Sequence, residues 1–227
     1  MSSRGTGLTL SLGIVAGFIG YILWQVTIGL DTKVDDVQTI LTNSASGSTV
    51  LQISVVLIIL GLVIHAVGLI NTKGTASSTS ENIGIVCIVA AIAVWVTSSS
   101  LGIALMEMGE KYVALAGAGD ADTAKSIQIA GGFTQSANVA ANTVGGILAG
   151  VGWLFLGIAY RGSDAKGALS FIPLGWLALI AGLILIVSNL VVSPLVSIED
   201  ASQISGISFI VIVLWSVLRG IALIQED

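Results

Sequence analysis

Charge is scarce in this sequence: Asp, Glu, Lys and Arg together make 9% of its 227 residues. A water-soluble domain carries about 25%, because water must solvate its surface. Hydrocarbon is therefore expected to be the solvent for most of this chain. Basic residues are fewer still: eight Lys and Arg against 13 Asp and Glu give a net charge of −5, with a pI of about 4.6. Neutralising phosphate takes clustered cations. These are scattered, so no nucleic-acid partner is expected. Cys87 is the only cysteine and lies in an apolar run, which excludes an intrachain disulfide and a thiolate metal site. Two prolines and 28 glycines argue against disorder, since glycine is common where membrane helices pack closely. There is no P-loop, G-x-S-x-G, H-E-x-x-H or post-strand dinucleotide fingerprint, so hydrolytic, kinase and redox chemistry have no visible machinery and no cofactor is implied.

What the chain has is apolar length. Hydrophobic residues make 55% of it and the mean hydropathy is +1.01. Crossing hydrocarbon about 30 Å thick at 1.5 Å per residue takes about 20 apolar residues. Six stretches qualify: Leu8 to Leu30, Thr49 to Ile70, Ile83 to Met106, Ala137 to Tyr160, Phe171 to Val192 and Gly206 to Ile224. None alternates with period two, which excludes a closed barrel. The reading is an all-α, polytopic transmembrane helical bundle with six membrane-spanning helices, residues 1–227 forming one integral domain in a lipid bilayer. The first stretch follows Arg4 and resembles a signal peptide, but its apolar run is too long and no small-x-small cleavage site precedes Asp31. It is expected to be retained.

Orientation follows Lys and Arg in the short loops. A cytoplasmic amino terminus places Arg4, Lys73, Arg161, Lys166 and Arg219 inside and Lys33, Lys111 and Lys125 outside. The expected location is the cell membrane, multi-pass, with both termini cytoplasmic. The longest outer connection runs from about Glu107 to Ser136. Its Ala, Lys and Gln content from Thr123 is compatible with an early start of the fourth helix and a break at Gly131-Gly132. Gly13-Ile14-Val15-Ala16-Gly17 and Gly146-Ile147-Leu148-Ala149-Gly150 echo each other; as a true repeat they would make the two halves inverted copies, an architecture many transporters use.

Polar groups inside apolar stretches are informative because each needs a partner or water. Gln25, Gln52, Ser98, Ser99, Asn142, Ser188 and Asn189, together with Thr97, Ser100 and Asn138, all fall in the same half of the bilayer, the one away from the termini. One reading is a polar vestibule that hydrogen-bonds an uncharged or zwitterionic solute. The other is interhelical glue, worth about 0.6 kcal/mol per contact. Two ionisable groups lie within the stretches. His65 is the only histidine and has no intramembrane carboxylate to exchange a proton with, so it reads as a neutral side chain bonded to a neighbouring helix. Arg219, near the end of the last helix, reads as a snorkelling anchor. Glu107, Glu110, Asp31, Asp35 and Asp36 match no calcium loop and read as a solvated rim, so no metal site is expected. Trp24, Tyr160 and Trp176 read as headgroup belts, and Trp95, Trp153 and Trp215 as packed between helices. Small residues four apart, such as Gly13 with Gly17 and Ala178 with Gly182, make close-packing faces.

The run Gly152-Trp153-Leu154-Phe155-Leu156-Gly157-Ile158-Ala159-Tyr160-Arg161, then Ile172-Pro173-Leu174-Gly175-Trp176-Leu177, Ala181-Gly182, and Leu214-Trp215 with Gly220 resembles a prokaryotic family of six-helix integral membrane proteins of unknown function. The resemblance covers mainly the last three helices and implies architecture only.

Three functional readings follow. The dearth of intramembrane charge and the small-residue faces point first to a non-enzymatic scaffold or a subunit of a membrane complex, partnered by other subunits or by further copies in a homo-oligomer. The alternative is a carrier or channel for a small uncharged or zwitterionic solute. An enzyme would have to use His65 with Arg219 or Glu107. Convergence of Gln25, Ser99, Asn142 and Asn189 on one cavity would favour the carrier, and scattering to separate contacts the scaffold.

Overall fold

The computed structural model describes residues 2–76, 78–163 and 167–226. Lys166, placed inside by the charge rule, lies outside the described residues. The helices are α1 (Ser3–Ile28), α2 (Val37–Ser46), α3 (Ser48–Asn71), α4 (Thr79–Gly117), α5 (Ala121–Arg161), α6 (Leu174–Leu195) and α7 (Ile198–Gln225). All but α2 are long and apolar enough to cross a membrane. The fold is thus an all-α bundle, and its apolar helices imply a lipid bilayer around it.

Local sequence sets most helix starts. Ser2, Asp36, Ser78, Asp120 and Ser197 each accept a hydrogen bond from a backbone N–H three residues on, at 3.0–3.2 Å. Such caps satisfy donors that a helix start leaves unpaired. Gly29 ends α1 with φ +102° and Gly119 turns α4 into α5 with φ +81°, backbone conformations that other residues rarely adopt.

The early start expected for the fourth helix is found, at Ala121, and the stretch from Glu107 to Gly117 is helix as well, continuing α4. The 39 residues of α4 and 41 of α5 reach about 60 Å at 1.5 Å per residue, twice the hydrocarbon thickness. Their far ends therefore project from the bundle as a hairpin. Glycines 131 and 132 do not break α5. Gly131 receives Leu41 and Val37 of α2, so the missing Cβ serves close contact. The short helix α2, which hydropathy does not disclose, packs on α4 and α5 through a small core of Ile40, Leu41, Leu105 and Met106.

The six long helices close into a ring in the order α1, α3, α4, α5, α6, α7, with α7 packing back on α1. Sequential neighbours are the common outcome when connections are short. Helices on opposite sides of the ring meet only through side chains. Glycine makes several ring contacts possible: a Cβ on Gly61 would sit 2.7 Å from Gly13 O, one on Gly182 2.7 Å from Gly150 O, and one on Gly220 2.6 Å from Gly7 O. The echoing segments of α1 and α5 therefore perform the same packing, each seating the long helix that follows it. These small-residue faces are occupied within the chain.

The two ends of the ring differ. At the terminal end, where both chain ends lie, one core joins all six long helices and includes Leu10, Leu69, Ile88, Leu156, Trp153 and Trp215. At the opposite, hairpin end that core gives way to a hollow.

Candidate functional site

The hollow is a cavity of about 810 Å³ in the hairpin half of the ring. Gln25 of α1, Ser98 and Ser99 of α4, Asn142 of α5 and Asn189 of α6 all line it. Gln52 and Ser188 do not. Gln52 is exposed on α3, away from the cavity-lining stripe of Val55, Ile58 and Leu62. Ser188 is buried, and its hydroxyl donates to Ile184 O at 2.7 Å.

Helical spacing supplies the rest of the wall. On α5, Gln135, Asn138, Val139, Asn142, Thr143 and Gly146 recur every three or four residues and face inward together. Ser98 donates to Asn138 Oδ1, and Asn142 Nδ2 donates to the same oxygen at 3.1 Å and to Asn138 O at 3.0 Å. Gln25 Nε2 donates to Tyr21 Oη at 2.7 Å, and Ser99 to Trp95 O at 2.9 Å. Asn189 lies in a π-helical turn, Ser188–Val192, where the Ser193 N–H reaches back five residues to Ser188 O. Pro194 follows and lacks an N–H, so the widened turn falls where the ordinary ladder fails. The Asn189 carboxamide donates to Leu185 O at 2.8 Å and packs on Gly146.

Between these polar groups the wall is apolar, with Ile14, Ile58, Leu62, Leu105 and Leu185 contributing. Charge is confined to the mouth, where Asp31, Lys33 and Glu199 lie. Across it, Val34 N–H donates to Glu199 Oε1 at 3.3 Å, tying the loop after α1 to the first turn of α7. Part of the wall is aromatic. The Phe209 ring lies 5.5 Å from that of Tyr21 and 5.3 Å from that of Trp95, centroid to centroid. Beneath it, Trp215 meets Trp153 and Tyr160 edge-on at 5.1 and 5.3 Å, a favourable aromatic geometry. Tyr160 is thus buried in the core and not at the headgroup belt. Trp24 also turns inward, packing on Gly102 of α4. Trp176 is exposed with Arg161 over its ring at 4.5 Å.

His65, Arg219 and Glu107 lie elsewhere. His65 is buried one helical turn below Leu62, its Nδ1 3.0 Å from Leu10 O of α1. Arg219 is buried near the terminal face, with Nη1 3.1 Å from Glu226 Oε1. Glu107 is exposed on the projecting part of α4. The three do not meet. Among the described residues, no three His, Cys, Asp or Glu side chains are arranged to hold a metal ion. One buried carboxylate escaped the sequence reading. Glu81 is 1% exposed, and its two oxygens accept from Gly74 N at 2.8 Å and Ala76 N at 3.0 Å, clamping the turn between α3 and α4. Its sign was the S-x-x-E spacing from Ser78, a helix-start signature.

Chemically, the cavity offers carboxamides and hydroxyls that donate and accept, set in an apolar wall, with no charged group in its depth. A concave, mostly apolar space with a few convergent polar groups is the usual form of a small-molecule site. No family model, curated protein or solved structure matches this chain.

Proposed function

We propose that this chain is a six-pass protein of the cell membrane, both termini cytoplasmic, that carries a small uncharged or zwitterionic solute through a vestibule opening on the far side. One observation carries the reading: Gln25, Ser98, Ser99, Asn142 and Asn189, from four different helices, share one cavity. Polar side chains that only tied neighbouring helices together would not need a common space. The filled terminal half supports an outward-open resting form, in which the solute waits above the Trp153 and Trp215 core. Vesicles reconstituted with the full chain and offered a panel of neutral solutes test this. Uptake of the accepted solute should fall about tenfold in Asn142→Leu or Ser99→Leu, the effect of losing about 1.4 kcal/mol of binding. Uptake unchanged in both would overturn the reading. Reporter fusions at the two ends should appear on the cytoplasmic face.

The scaffold reading keeps one observation of its own. Ile129 and Phe133, on the projecting part of α5, are 56% and 76% exposed, and exposed apolar side chains mark contact surfaces when they cluster. The small-residue faces that first motivated this reading are occupied within the chain. Blue-native electrophoresis of gently solubilised membranes decides it: a species running as the single chain would remove the subunit role.

A further inference from the structure

Helices α1 and α7 are neighbours in the ring, yet they do not stay together along their length. Near the terminal face they touch through backbone, where Gly220 meets Gly7 and Ser11. On α1 the stripe that begins with Gly7 and Ser11 continues through Phe18, Ile22 and Gln25. On α7 the stripe that contains Gly220 continues through Val213, Phe209, Gly206 and Ser202. These continuations ought to pack on each other, and above the Tyr21 and Phe209 contact they do not. A Cβ on Gly206 would meet nothing within 4 Å. Gly206 and Ser202 line the cavity, and so do Ile22 and Val26, which belong to the exposed outward stripe of α1 with Leu12 and Ile19. The helices have splayed, leaving a slot bounded below by Tyr21 and Phe209 and above by the Val34 to Glu199 hydrogen bond.

From this we infer that the vestibule opens sideways into the bilayer between α1 and α7, and that its ligand is a membrane amphiphile with an uncharged, hydroxyl- or carbonyl-bearing head. The inference rests on the carrier reading and names the class of its cargo. Three features select that class. The slot lies between helices whose outer surfaces meet lipid, so its traffic arrives from hydrocarbon. At about 810 Å³ the cavity is near the upper end of drug-sized sites, which run from about 300 to 1,000 Å³, and far exceeds a few-atom polar solute. Its polar groups are neutral and pair with hydroxyls and carbonyls, whereas a charged head would lose its water with no opposite charge in the depth to replace it. The carboxamides of Asn142 and Asn189 take the head, and the apolar wall takes the chain.

The test uses the full chain in phosphatidylcholine nanodiscs with a monoacylglycerol bearing a diazirine in its acyl chain, photolysed and mapped by peptide mass spectrometry. Adducts are expected on Phe209, Tyr21 and Val213, competed by 1-monooleoylglycerol but not by glycerol. Filling the slot by Gly206→Trp or, independently, Ile22→Trp should lower these adducts about tenfold, while Gly206→Ala, which fits the open space, should leave them unchanged. The second tryptophan variant keeps the test decisive if the first does not elute as a single folded species. Adducts confined to lipid-facing residues such as Val63 and Ile210, or cavity adducts indifferent to both tryptophans, overturn the sideways entry and the amphiphile. If water-borne solute uptake still falls in Asn142→Leu while Gly206→Trp has no effect on it, the carrier reading survives and only this inference falls. If neither Asn142→Leu nor Ser99→Leu changes adducts or uptake, both fall.

Discussion

The terminal and hairpin halves of the ring are built from the same six helices, yet one is solid and the other hollow. In the terminal half, helices meet through glycine, and the centre is filled by Trp153, Trp215 and Tyr160 stacked edge to face. In the hairpin half, α1 and α7 part, and carboxamides and hydroxyls occupy the positions where large aromatics would close the gap. In lipid no hydrophobic force drives helices together, so packing decides where a bundle is tight. The hollow lies where polar side chains stand in place of large apolar ones.

Truncating the plug should break this comparison most severely. Trp215→Ala removes a fully buried indole. The transfer-from-water part of the usual loss is absent in a bilayer, but the cavity part remains, so stability should fall by about 3 kcal/mol, read from thermal unfolding in detergent. Next in size is glycine substitution. Gly182→Ala would place a Cβ 2.6 Å from Leu154 N, forcing α5 and α6 apart at about 1–3 kcal/mol. The same change at Gly206 should stay within about 0.5 kcal/mol, and equal losses at the two sites would mean that both halves are packed alike. Glu81→Gln leaves one of two backbone donors without its acceptor, which should cost about 2 kcal/mol. Hydrogen exchange should then speed in the turn at Gly74 and Ala76. Asn142→Leu should alter stability by less than about 1 kcal/mol, since interhelical polar contacts are weak, while changing uptake strongly. That split separates a binding role from a structural one.

The smallest effect is in α2. Hydrogen bonds from Thr39 hold the Asp36 carboxyl below its ordinary value of 3.8. Because the folded value is depressed, the cap's contribution is complete above the ordinary value and is lost as pH falls through the lower folded one. A carbonyl-carbon titration should place the Asp36 midpoint below that of the same residue in an unfolded peptide, and an unshifted midpoint would deny the cap.

The six long helices were legible because hydropathy reports the solvent, and lipid surrounds most of them. It stops reporting where helix continues into water. Residues 107–122 read as a connection, and the helical form of 107–136 rests on packing between α4, α5 and α2, where Leu41 packs against Gly109 and Gly131. The signal for α2 was the cap residue Asp36 three places before Thr39. Depth in the membrane could also be counted from sequence, which put Gln25, Ser99, Asn142 and Asn189 at one level. Direction could not be counted the same way. Gln52 and Ser188 share that level and face elsewhere, and Tyr160 sits at a helix end yet turns into the core, because rotation about each axis is set by packing partners that sequence spacing does not name.

The length of α4 links the hollow to the space outside the membrane. Ser98 touches the cavity, and the same rigid rod continues to Gly117, about 28 Å further along its axis. Such a rod is a lever: a tilt of a few degrees at Ser98 would become a displacement of ångströms at its tip.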